Sequence, residues 1–69
     1  MTLLYVVVPV PRDESTELLR LRRAVARPWL ESYRGYARYW VPTVEDAEAE
    51  IAVLALAGFA AEIELDLDA

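Results

Sequence analysis

Ala61-Glu62-Ile63-Glu64-Leu65-Asp66-Leu67-Asp68, near the end of the chain, alternates strictly between apolar and acidic residues. A period of two places Ile63, Leu65 and Leu67 on one side of an extended strand and Glu62, Glu64, Asp66 and Asp68 on the other. This reads as a half-buried strand, with one face against a core and one acidic face in water. A sheet with one open side is therefore the frame for the rest of the chain.

Working back from that strand, Val44 to Gly58 reads as a helix. Pro42 ends the preceding segment, Thr43 caps the helix, Glu45 and Asp46 occupy its first turn and Gly58 stops it. Ala47, Ile51, Leu54 and Gly58 trace its core line. Val53 and Leu56 fall off that line, and a first helix packed alongside is expected to cover them. Tyr36 to Val41 is a strand by composition and alternation. At the other end, Thr2 to Val10 (TLLYVVVPV) suits a buried strand that Pro9 and Pro11 terminate. Asp13 is the expected N-cap of the first helix, with Glu14 and Glu17 near its positive end. Leu18, Leu21 and Val25 share one face of that helix, and Pro28 stops it. Trp29 to Arg34 is open between a short strand turning at Gly35 and a loop.

The order β-α-(β)-β-α-β gives an α+β fold class. The expected architecture is a ferredoxin-like two-layer α/β sandwich: an antiparallel sheet with two helices on one face, right-handed crossovers and an open second face. Residues 1–69 form a single domain. A chain of 69 residues buries only roughly 60% of its unfolded surface, so its core is small. With no cysteine and no histidine, disulfides and the common zinc sites are excluded as supplements, which leaves oligomerisation or a docking partner.

The formal net charge is −5, a sign that disfavours phosphate backbones and anionic membrane surfaces. All seven cations are arginine, and lysine, asparagine and glutamine are absent; the missing lysine and asparagine read as the coding bias of a GC-rich bacterial or phage genome. The longest nearly uninterrupted apolar run, Ile51 to Ala61, is about half the ~20 residues of a spanning helix. The apolar N-terminus lacks a basic n-region and a small-residue cleavage site, so the cytoplasm is the expected compartment.

No catalytic equipment is legible. Without histidine, Ser15 and Ser32 have no such base; they read as helix-start and loop residues. Gly35 and Gly58 alone cannot build a phosphate loop. Glu45, Asp46, Glu48 and Glu50 read as the wet side and capping turn of a helix, and Asp66 and Asp68 are too few oxygens for a hard cation. The chain is read as no enzyme, with no metal and no cofactor.

Arg34-Gly35-Tyr36-Ala37-Arg38-Tyr39-Trp40-Val41 stands apart, with three aromatics and two arginines beside a glycine. Alternation puts Ala37, Tyr39 and Val41 under the helices and Tyr36, Arg38 and Trp40 on the open face. Planar side chains with guanidiniums serve base stacking, and they equally serve as anchors of protein interfaces. They also serve simply to cover a sheet by cation–π stacking.

Leu4-Tyr5-Val6 resembles the start of the RNP2 strand of the RNA recognition motif, and Arg34-Gly35-Tyr36-Ala37 resembles the first half of RNP1. Val44-Glu45-Asp46-Ala47-Glu48-Ala49-Glu50-Ile51, followed by Leu54 and Gly58, is similar to the second-helix pattern of that family. The resemblance implies Tyr5 and Tyr36 as base-stacking aromatics and Arg34 as a phosphate contact. Arg38 stands where the family has a second aromatic, Val8-Pro9 replaces its late RNP2 residues, and the loop between strands two and three is nearly missing.

In this topology Glu62, Glu64, Asp66 and Asp68 flank the same open face, beside Tyr5 and Tyr36. Such a row repels phosphates, so a protein partner is the leading expectation, with a homo-oligomer in which the Arg34 and Arg38 patch of one copy meets the acidic row of another. The candidate binding residues are Tyr5, Arg34, Tyr36, Arg38 and Trp40, opposite the acidic Glu62, Glu64, Asp66 and Asp68. The alternatives are a single-stranded RNA binder and an acidic mimic of nucleic acid presented to a basic protein site.

Overall fold

The computed structural model describes residues 2–10, 15–25, 27 and 29–67. Six elements follow in chain order: β1 Leu3–Pro9, α1 Ser15–Ala24, β2 Glu31–Tyr33, β3 Tyr36–Val41, α2 Val44–Leu56 and β4 Glu62–Asp66. The class is α+β, with a four-stranded sheet in the order β2-β3-β1-β4 and every neighbouring pair antiparallel. No helix of the described residues is long and apolar enough to cross a membrane.

The most apolar strand takes an interior place. Leu4, Val6 and Val8 of β1 lie opposite Val41, Tyr39 and Ala37 of β3. Together with Leu21 and Val25, and with Ala47, Leu54 and Phe59, these residues form one core cluster, so α1 and α2 share one side of the sheet. The other residues of β1, among them Tyr5 and Val7, face the open side opposite Trp40 and Arg38. The open question at Trp29 to Arg34 resolves into β2 and a two-residue turn, Arg34-Gly35. Gly35 has φ +91° there, a value that favours glycine.

Helix α2 ends as its sequence dictates. The Thr43 hydroxyl oxygen accepts from the Asp46 amide at 3.1 Å. At the C-terminus Gly58 adopts φ +90°, its amide donates to the Ala55 carbonyl, and the Phe59 amide donates to the Leu54 carbonyl at 2.9 Å. That is a Schellman stop, and Phe59 returns to the core cluster beside Leu54. Gly58 itself is exposed, so the core line ends at Leu54 and passes to Phe59.

Two expectations about burial need correction. Val53 is exposed, and Leu56 is 92% exposed, so α1 does not cover them. Arg20 of α1 donates to the carbonyl of Ala57, just past the end of α2, and Arg27, beyond the end of α1, reaches Glu50; neither contact covers Val53 or Leu56. Leu56 lies half a turn round from the core line and points to solvent. Likewise β4 is not half-buried, because α2 lies over β1 and β3. Ile63 and Leu65 are 41% and 59% exposed although they share a side with the core. The expected cap Asp13, its neighbour Glu14, and Pro11, Pro28 and Asp68 lie outside the described residues.

Candidate functional site

The open sheet face is assembled by register. Glu31 of β2, Arg38 of β3, Val7 of β1 and Glu62 of β4 form one row across the sheet. Trp40, Tyr5 and Glu64 form the next, while Tyr33, Tyr36 and Pro9 lie towards the hairpin. Tyr5, Tyr36, Arg38, Trp40, Glu62, Glu64 and Asp66 thus share one face, as their alternation implies. Arg34 stands exposed in the hairpin turn, beside the face.

Arg38 is the centre of this surface. Its guanidinium lies over the Tyr5 ring at 4.0 Å and faces Tyr33 at 5.4 Å. Nη1 donates to Glu64 Oε1 at 3.0 Å and lies 3.9 Å from Asp66 Oδ2. Nε sits 3.4 Å from Glu31 Oε1 and is shielded from solvent, close enough to feel the carboxylate but not aligned to donate to it. One arginine therefore spans β1 and neutralises acids on both sheet edges. Partial burial works against its charge, yet the hydrogen bond with Tyr33 and the surrounding negative potential outweigh that, and its pKa is raised. Tyr5 is 7% exposed beneath it.

Two aromatic pairs flank this ion cluster. Tyr33 and Tyr36 stack at 4.9 Å beside the turn, and Trp29 and Trp40 stack at 5.5 Å beyond the end of β2. Because β2 stops at Glu31, the Trp40 carbonyl has no partner from that strand. The Trp29 indole donates to it at 3.2 Å instead. The Tyr33 hydroxyl donates to Glu31 at 2.7 Å, and this bond is the main reason its pKa is raised. All four rings remain substantially exposed. Trp29 and Glu31 were not among the residues the sequence singled out. Alternation through 29, 31 and 33 carried the signal, but only once this stretch is known to be extended.

On the helix side, the buried Tyr39 donates its hydroxyl to Glu50 at 2.8 Å, and Arg27 donates to the other oxygen of the same carboxylate at 2.8 Å. Burial, then the bond to Glu50, pushes the Tyr39 hydroxyl well above the ordinary tyrosine range. Among the described residues no three acids converge as a metal site. Comparison with models of known protein families, with curated proteins and with solved structures finds no match for this chain.

Proposed function

We propose that this chain is a ferredoxin-like, non-enzymatic protein-interaction module that works, and self-associates, through its open sheet face. The topology is supported by the two helices, each of which links strands separated by one inserted strand. The observation that carries the functional reading is the platform of Trp29, Trp40, Tyr33 and Tyr36 set around Arg38, whose guanidinium is engaged by acids of its own chain. Exposed aromatics at fixed spacing on a sheet face that no described helix covers are the residue types that anchor protein interfaces.

The electrostatic basis of association differs from an exchange of arginines and acids between copies. Arg38 already serves Glu31, Glu64 and Asp66 of its own chain, so the contact rests on the aromatic pairs, with Arg34 at the rim. The same geometry gives less support to single-stranded RNA binding. A base could stack on Tyr5 only after displacing Arg38, and four acids, Glu31, Glu62, Glu64 and Asp66, share the face.

Sedimentation equilibrium from about 10 µM to about 1 mM tests the reading. A reversible dimer is expected, with its Kd raised about tenfold or more by Trp40→Ala or Tyr36→Ala. A monomer throughout that range removes self-association. Binding of a single-stranded RNA oligonucleotide at low salt, weakened by Tyr36→Ala, would favour the RNA alternative instead.

A further inference from the structure

The platform leaves the opposite edge of the sheet unexplained. Strand β4 is an edge strand: it pairs with β1, and no described strand pairs with its outer side. An edge strand presents unpaired N–H and C=O groups, which natural sheets usually blunt or cover. Here the two side-chain faces of the edge differ sharply. The helix-side residues Ile63 and Leu65 are exposed, and Leu67, just beyond the strand, is exposed too. The open-face residues are Glu62, Glu64 and Asp66.

The charge on that face is unbalanced. Glu31, Glu64 and Asp66 share the single guanidinium of Arg38, and Glu62 has no ion pair among the described residues. Among the described residues Glu62 therefore adds a carboxylate without an ion pair to this face, next to the free edge. Pairing with the β4 of a second copy would set these acids opposite one another, which is destabilising for directly facing strands. A strand of the opposite pattern would match the edge on all three counts.

We propose that the outer edge of β4 accepts an extended, antiparallel segment of a partner protein in which arginine or lysine alternates with apolar residues. The backbone of that segment completes the sheet, its apolar residues cover Ile63 and Leu65, and its basic residues meet Glu62 and the acids beside it. This contact is separate from the aromatic platform, since it uses the other edge of the sheet and different side chains.

The test uses a nine-residue synthetic peptide alternating arginine and valine, titrated into the intact chain. Binding is expected, falling about fivefold to tenfold with Glu62→Arg. The same charge change at Glu45, in the exposed first turn of α2, is expected to alter affinity by less than about twofold, because net charge alone is not the recognition element. A peptide of equal composition with its arginines in one block, or one N-methylated at alternate residues, should bind at least about tenfold more weakly. Equal binding of the block peptide, insensitivity to N-methylation, or no binding at about 1 mM would overturn the proposal. So would a dimer that excludes the peptide and is lost on Leu65→Arg, since a second copy would then occupy the edge. The peptide outcomes leave the platform untouched, which is read by the Trp40 and Tyr36 variants, whereas a dimer lost on Leu65→Arg would also count against self-association through the open face.

Discussion

Arg38 combines two roles that are separable by mutation. Its planar head covers Tyr5, and its charge holds three carboxylates that would otherwise face one another across the sheet. Arg38→Met keeps much of the cover and loses the charge. It should destabilise the fold by about 1–2 kcal/mol at low salt and by less at high salt, measured by urea unfolding, because these partners are only partly buried. Tyr39 gives a second residue-scale expectation. Its hydroxyl is held protonated in the folded chain, whereas in the unfolded chain it titrates near the ordinary value of 10.0. Above pH 10 the unfolded state therefore binds fewer protons, so stability that is complete below pH 10 declines as pH rises. Tyr33 contributes in the same direction. Tyr39→Phe should cost about 1 kcal/mol at pH 7 for the lost bond to Glu50, and should make the alkaline decline shallower. Which face each of these residues occupies was legible from alternation. Their partners were not: Arg38 reaches β4 across an intervening strand, a contact fixed by register between segments 26 residues apart.

At the scale of elements, local signals were reliable where a named residue makes the structure. Thr43 caps α2 and Gly58 ends it, both visible as residue types in sequence. Thr43→Ala should cost about 1 kcal/mol through the lost bond to the Asp46 amide. Gly58→Ala should cost a similar amount for a different reason. A Cβ there would meet Arg20 Nη2 at an unstrained 3.7 Å, so the penalty lies in holding alanine at φ +90°. Leu56→Gln, by contrast, should leave stability within about 0.5 kcal/mol, because the side chain it replaces is 92% exposed. Thermal or urea unfolding of the three variants separates cap, stop and bystander. Sequence was least informative about coverage. Apolar periodicity marks a face as suited to burial, but whether another element reaches that face depends on where the helices cross the sheet. Among the described residues Val53, Leu56, Ile63 and Leu65 remain exposed.

For the whole molecule, the salt dependence of self-association distinguishes two ways of joining the open faces. If Arg34 and Arg38 of one copy met the acidic strand of the other, added salt would screen an attraction and weaken the dimer. With Arg38 engaged by acids of its own chain, each face instead brings Glu62, which has no ion pair among the described residues, and acids already held by that guanidinium to the contact. The net charge of −5 adds a longer-range repulsion of the same sign. Attraction then comes from the stacked tryptophans and tyrosines, whose burial salt does not screen. The dimer should therefore strengthen as NaCl is raised from about 20 mM to about 500 mM, where the Debye length falls well below the width of the face. Association should also grow as pH is lowered from 7 towards the isoelectric point near 4.5, as the carboxylates lose charge. Sedimentation at fixed protein concentration reads both trends. A dimer that weakens with salt would restore the exchange of arginines and acids between copies, and would require Arg38 to leave Glu64 on association.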